Sequence, residues 1–195
     1  MSDTHTQTAP TAAMPASELT ENTDIETGKF LIRDAAPSDI PAIQGIYRQA
    51  VEEGTASFEE IAPDIEEMAR RQKALQEKNF PYLVAIERET GQLCGYAYAG
   101  PYRPRAAYRH SIEDSIYILP EFHGQGIGSI LMQHLIARCE KGPWRQMVAV
   151  IGDSQNKGSI ALHRKYGFEL VGTLRNIGFK LDRWLDCVLM QRPLK

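Results

Sequence analysis

Residues 112–131 constrain this chain most, because an apolar run typical of a strand stops at Pro120 and a glycine-rich segment then opens a helix. Gly124, Gly126 and Gly128 let the backbone approach a ligand closely, and the first turn of the helix leaves N–H groups without intrahelical partners. Such amides, aided by the helix dipole, can bind a pyrophosphate without a lysine. The helix continues with apolar residues at helical spacing, at Ile127, Ile130, Leu131, Leu135 and Cys139. The segment therefore predicts a strand–loop–helix unit that packs on a core and can hold a phosphate group.

Glycines before a helix are also compatible with a plain flexible turn, so this motif alone does not decide the function. Two other phosphate-binding loops do not fit it. No GKS or GKT follows the glycines, which excludes a Walker nucleotide site. The glycine spacing also differs from the G-x-G-x-x-G of a dinucleotide fold, and no βαβ unit begins the chain.

Composition fits one globular domain and excludes several classes of partner. The chain has 195 residues, of which 43% are hydrophobic and 24% charged, and its formal net charge of -3 gives no indication of a nucleic acid as partner. No apolar run approaches the roughly 18 residues of a membrane span, and no secretory leader pattern is present. Cys94, Cys139 and Cys187 form no CxxC pair, so we expect reduced, packed thiols and a cytoplasmic protein. His, Cys and carboxylate residues show no ligand spacing, and we expect no metal.

Periodicity and turn signals predict a mixed α/β layer with several consecutive antiparallel strands, not a doubly wound sheet. Residues 1–28 are rich in Thr, Ala, Pro and Glu and are expected to be a disordered tail, followed by a domain over 29–195. Four helices are predicted. The first has an apolar face from Ile40 to Val51 and is capped by Ser38, and the second covers 63–78. The third follows the glycines, and the fourth covers 156–166 and is ended by Gly167. Predicted strands are 30–33, 82–87, 92–100, 110–118, 146–151, about 170–174 and about 185–191.

The glycine segment resembles the acyl-CoA loop of the GNAT superfamily of N-acetyltransferases, whose pattern is Gln or Arg, two residues, Gly, any residue, then Gly or Ala. Here the segment is HGQGIG, and His123 stands in place of the leading Gln or Arg. Residues 156–168, NKGSIALHRKYGF, are similar to the family segment that runs beside the pantetheine arm. The resemblance implies acetyl-CoA as the acetyl donor. It also implies the following acetyl-CoA contacts: Ile116, Tyr117, Ile118, Gly124, Gln125, Gly126, Ile127, Gly128, Ser129 and Asn156.

Further segments resemble one branch of the superfamily, the phosphinothricin and methionine sulfoximine N-acetyltransferases. Residues 95–103, GYAYAGPYR, are similar to that branch's GYA…GPW segment, with Tyr102 in place of Trp. Residues 112–118, IEDSIYI, resemble its VExSVYV strand, and segments within 172–186 resemble its closing strands. The resemblance runs from about residue 30 to the C-terminus. It implies the α+β GNAT fold, with a mixed, largely antiparallel central sheet and helices on both faces, and it suggests a homodimer.

Acetyl transfer from a thioester to an amine needs a base for the amine, donors for the oxyanion and a proton for the leaving thiolate. By the resemblance, Glu113 is the base, and His163 stands where many superfamily members carry a tyrosine that protonates the thiolate. The plain alternatives are a solvent-facing glutamate and a histidine packed on a helix; His110 is a weaker candidate. Because strand residues alternate, Asp114 faces the side opposite Glu113, and only one of the two carboxylates should point at the cleft.

The loop over 101–109, just before the Glu113 strand, carries three arginines and two tyrosines. Arginine binds carboxylate or phosphinate oxygens bidentately, which suits an acidic, amino-acid-like substrate; a basic surface loop is the plain alternative. The expected substrate-binding residues are Phe58, Tyr102, Arg103, Arg105 and Tyr108, with Phe58 assigned by resemblance to the opposite wall of the family's pocket.

The sequence thus predicts an acetyl-CoA-dependent N-acetyltransferase acting on the α-amino group of a small amino acid analogue such as phosphinothricin, methionine sulfoximine or methionine sulfone. Two alternatives stay open. One is an acetyltransferase that modifies protein N-termini or lysines, for which the basic loop over 101–109 is a poor match. The other is an acyl-CoA-binding module without catalysis.

Overall fold

The computed structural model describes residues 25–195, which form an eight-stranded sheet with helices packed on both faces. The strands are β1 (Ile25–Thr27), β2 (Phe30–Asp34), β3 (Tyr82–Glu87), β4 (Leu93–Pro101), β5 (Ser111–Ile118), β6 (Gln146–Gly152), β7 (Glu169–Lys180) and β8 (Arg183–Pro193). The helices are α1 (Ile40–Glu52), α2 (Ile65–Gln76), α3 (Ile127–Glu140) and α4 (Lys157–Lys165). The spatial order is β1-β2-β3-β4-β5-β6-β8-β7, and β5–β6 is the one parallel pair among these strands. The predicted mixed, largely antiparallel α+β architecture is confirmed.

The start of the domain differs from the sequence prediction. Residues 25–27, inside the predicted tail, form β1, which pairs with β2 after a turn in which Gly28 has a φ of +54°. A three-residue edge strand held by backbone pairing leaves no apolar pattern to detect, so the described domain begins at residue 25 rather than 29. The rest of the predicted tail, residues 1–24, lies outside the described residues.

The helix starts also differ in detail, because aspartates occupy the caps. Ser38 was predicted to cap α1 but lies in a short 3-10 turn, and Asp39 is the residue before α1. The Asp39 carboxylate accepts a hydrogen bond from the Ala36 N–H at 2.7 Å and pairs with Arg33 at 2.6 Å. α2 begins two residues later than predicted because the Asp64 side chain accepts a hydrogen bond from the Glu67 N–H at 2.8 Å.

Two apolar cores form on opposite faces of the sheet. α3 contributes Ile127, Leu131 and Leu135 to the core on one face, and α1 contributes Ile40 and Ile43 to the core on the other. The three cysteines are buried and free, as expected. None of the described helices is long and apolar enough to cross a membrane.

The functional region is created by a split in the sheet. β5 and β6 pair only from Ser111–Gln146 to Glu113–Val148. Beyond that point β5 stays paired with β4 as far as Ile118, and β6 stays paired with β8 as far as Gly152. The facing edges of β5 and β6 therefore diverge, and their backbone N–H and C=O groups have no ladder partner on that side. We call the point after Glu113–Val148 the apex of the split.

Candidate active site

A cleft of about 790 Å³ opens where β5 and β6 diverge. This volume is in the range typical of sites for small molecules and cofactors. Its walls are residues 115–118 of β5, residues 149–152 of β6, the glycine segment before α3, the first turns of α4, and the end of α1 with the loop that follows. The split in the sheet thus leads directly into the loop that the sequence predicted to bind phosphate.

The glycine segment has the geometry that an anion site needs. Gly124 and Gly126 have φ values of +76° and +86°, which most side chains tolerate poorly, and Gly126 directly precedes α3. A Cβ on Gly128 would lie 3.2 Å from Ile118 and 3.3 Å from Leu162, so this glycine allows α3, α4 and β5 to approach one another closely. No side chain caps α3, and its first-turn amides have no intrahelical partners. This end of the cleft can therefore bind a pyrophosphate.

Most of the predicted acetyl-CoA contacts line this cleft: Ile116, Tyr117, Ile118, Gly124, Gly126, Ile127, Gly128 and Asn156. Gln125 and Ser129 are not among the lining residues, because their side chains are held elsewhere. The Gln125 side chain accepts a hydrogen bond from Lys29 at 3.1 Å and donates one to the Glu121 carbonyl at 3.0 Å, while the Ser129 hydroxyl accepts one from Lys165 at 3.0 Å. These two side chains do not support a direct contact, although their backbone lies in the loop.

His123, which replaces the Gln or Arg of the family pattern, fastens the loop to the sheet. Its Nε2 lies 3.0 Å from the carbonyl oxygen of Ile118, the last residue of β5. Asn156 acts on its own helix in a comparable way, since its side chain accepts a hydrogen bond from the Ser159 N–H at 3.2 Å and caps α4. Both residues line the cleft and hold its backbone in place.

Glu113 lies at the apex of the split but on the α1/α2 face of the sheet. It alternates with Ile112 and Asp114, and Tyr117 on its side of β5 packs in the α1/α2 core. Burial raises the pKa of Glu113 to about 7, with the negative charge of Asp114 adding to the shift and Arg103 opposing it. Such a carboxylate can accept a proton near neutral pH, as a general base must.

Asp114 and His163 form a buried pair on the opposite face. His163 Nε2 lies 2.9 Å from Asp114 Oδ2, and His163 Nδ1–H donates to the Ser159 carbonyl at 2.7 Å. Burial lowers the pKa of His163, but the hydrogen bond with the Asp114 carboxylate and its charge outweigh this, so the pKa is raised. The histidine is therefore satisfied and packed, as one reading of the sequence predicted, and it also lines the cleft, as the other reading required.

The two adjacent carboxylates do lie on opposite faces, but the one that lines the large cleft is Asp114. The sequence reading gave that place to Glu113. The difference arises because the walls on the α3/α4 side, built from the glycine segment and α4, enclose most of the cleft, and β5 turns Asp114 toward that side. The alternation of side chains along β5 predicted that Glu113 and Asp114 point to opposite faces. It could not predict that α4 brings His163 to Asp114, because the two residues are 49 positions apart in the sequence.

The arginine loop lies beside Glu113 rather than in the large cleft. The Tyr102 and Tyr108 rings meet edge to face at 5.7 Å, and the Arg103 guanidinium lies 5.1 Å from the centre of the Tyr102 ring. Arg103 is close enough to Glu113 to affect its pKa. Arg105 is exposed and precedes a short 3-10 turn. The structure thus brings Tyr102, Arg103 and Tyr108 together, and both Arg103 and Arg105 are exposed.

Comparison with known proteins identifies the family. Residues 44–168 match the profile of the Acetyltransferase (GNAT) family. The chain belongs to this family. A phosphinothricin N-acetyltransferase of Alcaligenes faecalis is 54% identical over 163 residues, which cover 84% of this chain and 82% of that protein. An L-methionine sulfoximine/L-methionine sulfone acetyltransferase of Pseudomonas paraeruginosa is 39% identical, with coverage of 84% and 94%.

Solved structures agree with this assignment. The crystal structure of a GNAT superfamily phosphinothricin acetyltransferase from Sinorhizobium meliloti, in complex with AcCoA, superposes with a TM-score of 0.82 at 46% identity. The match covers 85% of this chain and 89% of that one. The predicted GNAT fold is confirmed.

Phe58, the predicted substrate contact opposite the arginine loop, is 41% exposed and is not among the residues that line the large cleft. A Cβ on Gly178 would lie 2.5 Å from the Phe58 ring, and one on Gly152 would lie 3.0 Å from it, so two glycines of the sheet make room for this ring. Phe58 therefore packs directly against the backbone at Gly152 of β6 and Gly178 of β7.

A polar network that sequence reasoning missed holds the loop around Phe58. The Tyr47 hydroxyl lies 2.9 Å from the Ser57 hydroxyl and donates to Glu59 at 3.0 Å, and Arg71 pairs with Glu59 at 2.7 Å. The ammonium group of Lys180, which is buried, donates to the Ser57 carbonyl at 2.6 Å. Tyr47 had been recognised only as part of the apolar face of α1, and none of these contacts follows a spacing that a sequence reveals.

Metal binding finds no support in the described part of this GNAT chain. No group of three or more His, Cys, Asp or Glu side chains comes together over residues 25–195 in a way that could hold an ion. The polar groups that line the cleft include backbone amides, the Asp114–His163 pair and Asn156, which suit an organic ligand with a pyrophosphate.

Proposed function

We propose that this protein is an acetyl-CoA-dependent N-acetyltransferase that acetylates the α-amino group of small amino acid analogues, namely phosphinothricin, methionine sulfoximine or methionine sulfone. One observation carries the proposal. The cleft through the split sheet has an anion-binding loop at one end, and at the apex stands a half-buried glutamate, Glu113, with a pKa raised to about 7. The names of the relatives at 54% and 39% identity support the choice of substrates.

Acetyl-CoA would lie along the length of the cleft. Its pyrophosphate would lie at the amides that follow Gly126, at the start of α3. Its pantetheine arm would lie between β5 and β6, where the two strands no longer pair. The free backbone groups of both strands can form hydrogen bonds with the amides of the arm. The thioester would then reach the apex, between Glu113 on one face and Asp114 on the other.

The chemistry follows from this arrangement. The neutral substrate amine approaches from the α1/α2 face and its nitrogen attacks the thioester carbonyl, while Glu113 accepts one proton from that nitrogen, directly or through water. The unpaired N–H groups of β5 can stabilise the oxyanion. When the C–S bond breaks, the electron pair stays on sulfur, and the resulting thiolate takes a proton from His163. The products are the N-acetylated substrate and CoA.

The acidic group of the substrate would bind Arg103. This guanidinium is close enough to Glu113 to affect its pKa and lies near the Tyr102 and Tyr108 rings, so a substrate held there would present its amine to the base. Phe58 would form the other wall. A basic, aromatic loop suits an acidic small molecule better than a protein lysine.

An acetylation screen tests the proposal. The purified protein is incubated with acetyl-CoA and each of phosphinothricin, methionine sulfoximine, methionine sulfone, decarboxylated analogues and short peptides, and released CoA thiol is measured. We expect transfer to the amino acid analogues and little to the decarboxylated amines or peptides. Transfer to peptides alone would support a protein acetyltransferase, and binding of acetyl-CoA with no transfer to any amine would support a non-catalytic module.

We also propose a cytoplasmic homodimer. The free, buried thiols fit a reducing compartment. β7 is one of the two outer strands of the described sheet. Together with its turn into β8 and the start of β8, it exposes large apolar side chains: Leu170, Val171, Leu174, Ile177, Phe179, Leu181 and Trp184. Exposed apolar edge strands associate unless charges protect them, so a second copy is the expected cover.

Light scattering after size exclusion tests the dimer. Val171→Asp places a charge on the apolar edge and should convert the dimer to a monomer. Ile65→Asp is the matched control, because Ile65 is an exposed apolar residue at the start of α2, and α2 packs against α1 and β3. A monomeric parent protein, or a dimer that survives Val171→Asp, would exclude this face as the interface.

A further inference from the structure

We propose that Asp114 is a positioning residue for proton delivery: it holds His163 so that one proton stays between His163 Nε2 and Asp114 Oδ2 at the apex of the cleft, for the thiolate that leaves acetyl-CoA. This inference rests on the proposed function. It assigns a role to Asp114, which lies on the face of the sheet opposite Glu113. The sequence had indicated only His163 as a proton donor.

The hydrogen bonds fix the proton count of the pair. His163 Nδ1 lies 2.7 Å from the Ser159 carbonyl oxygen, which only accepts, so Nδ1 carries a hydrogen. The remaining proton then lies between Nε2 and Asp114 Oδ2, which are 2.9 Å apart. The pair is neutral whichever of the two atoms holds it, because an imidazolium with a carboxylate and an imidazole with a carboxylic acid carry the same net charge. A neutral pair can be buried at far lower cost than a lone charge.

The position of Asp114 points toward a ligand. Its side chain is 1% exposed, lines the cleft, and directly follows the last paired residue of β5, Glu113. Asp114 Oδ1 is buried and has no hydrogen-bond partner within the protein, an arrangement that is costly unless water, a bound ligand or the reaction satisfies it.

The surroundings keep the pair isolated. His163 meets the Phe168 ring edge to face at 4.9 Å, and the groups that face the pair are the Cys139 thiol from α3, next to Asp114, and Ser159 on α4 itself. On the other face of β5 stands Glu113. Asp114 is thus the charged partner that His163 meets on the α3/α4 face, and removing its charge should change the protonation of the ring.

The proton balance is complete with water alone. Glu113 takes one proton from the amine as the C–N bond forms, and the C–S bond breaks with its electron pair on sulfur. Sulfur then takes the proton held between Nε2 and Oδ2, which leaves a neutral His163 and an ionised Asp114. Glu113 afterwards releases its proton to water and the pair takes one from water, so no other reactant is required.

The test uses Asp114→Asn, which keeps the shape of the side chain and removes its charge, and Asp39→Asn as the matched control. Asp39 is also a buried carboxylate, but it pairs with Arg33 before α1, far in the fold from His163. We expect Asp114→Asn to lower kcat roughly ten to a hundredfold and to move the high-pH limb of the kcat profile to lower pH, with the Kd for acetyl-CoA changed by less than about threefold. A double variant with His163→Gln should be no slower than His163→Gln alone, because the two residues act as one unit.

Histidine NMR of the parent protein supplies a measurement that does not depend on any variant folding or on turnover. We expect the His163 ring to stay protonated at both nitrogens, or to share its Nε2 proton, above the pH at which an ordinary histidine titrates. Loss of the proton shared by Nε2 and Asp114 Oδ2 at or below pH 6, or an unchanged pH profile in Asp114→Asn, would overturn the proposal. A parent protein that acetylates no amine would instead overturn the proposed function and leave the NMR result on the pair intact.

Discussion

Glu113 and Asp114 show how one strand can serve two sides of a reaction. Adjacent residues of a strand point to opposite faces, so a thioester placed at the apex of the split would have a base on one face and a proton-holding pair on the other. Burial and the like charge of Asp114 raise the pKa of Glu113 to about 7, whereas the Asp114 carboxylate raises that of His163. The environments of the two carboxylates differ because Asp114 forms a hydrogen bond with the His163 imidazole, whereas Glu113 lies on the other face of β5.

Replacing Glu113 with Gln should lower kcat by about a hundredfold or more, the usual scale for loss of a general base. The side chain keeps its size, so acetyl-CoA should bind with nearly unchanged affinity. In the parent protein kcat/KM should fall below about pH 7, because protonated Glu113 cannot accept a proton, and this limb should vanish in the variant. Steady-state kinetics over pH 5–9 measure both effects. Glu89→Gln, at an exposed turn, is the control. Turnover of Glu113→Gln within about twofold of the parent enzyme would exclude the base role.

Arg103→Ala should raise the KM for an amino acid analogue roughly ten to a hundredfold, since a charge-assisted hydrogen bond contributes roughly 1.5–3 kcal/mol. The KM for acetyl-CoA should stay nearly constant. Arg105→Ala is the control on the same loop, because both arginines are exposed and Arg103 is the one that affects the pKa of Glu113. Equal losses in the two variants, or a larger loss with Arg105→Ala, would assign the substrate carboxylate to another cation.

At the scale of elements, the sequence predicted strands that have a clear pattern of apolar residues. It did not predict features that depend on how elements pack together. β3 was placed at 82–87 and the observed strand is Tyr82–Glu87, because its side chains are buried on both faces and flanked by turn signals. β7 was expected over about 170–174, but the observed strand extends over Glu169–Lys180. The sequence did not reveal this length, because most residues of the strand are exposed and their pattern shows no alternation. The glycine loop was visible in the sequence, but the contact between Asp114 and His163 depends on how α4 docks against β5.

The glycine loop can be tested against a turn of the same backbone geometry. Gly126→Val should weaken acetyl-CoA binding sharply, because a side chain at a φ of +86° strains the loop and obstructs the approach of a pyrophosphate. Gly91→Val is the matched control, since Gly91 has a φ of +73°, has open space around it, and lies in the β3–β4 turn. Both variants should lose similar stability, but only Gly126→Val should lose affinity in calorimetric titration. Equal affinities would show that the loop is an ordinary turn.

For the whole molecule, the split sheet predicts a specific stabilisation by ligand. The two halves of the sheet, β1–β5 and β6–β8, are joined by only a short parallel pairing near the apex, and acetyl-CoA would bridge them along the rest of the cleft. A ligand that binds only the folded state stabilises it by about 2.7 kcal/mol at a concentration of 100 times Kd. For a domain of this size that corresponds to a rise in Tm of roughly 5–10 °C.

We therefore expect acetyl-CoA to raise Tm while NAD and ATP at the same concentration do not. Neither carries a pantetheine arm to lie between β5 and β6, and the loop lacks the GKS or GKT of an ATP site and the glycine spacing of an NAD site. CoA without the acetyl group should stabilise almost as well, because the loop and both strand edges contact parts of the molecule that it retains. Differential scanning fluorimetry measures all four ligands side by side. No shift at saturating acetyl-CoA, or an equal shift with ATP, would remove the cleft from consideration as an acyl-CoA site.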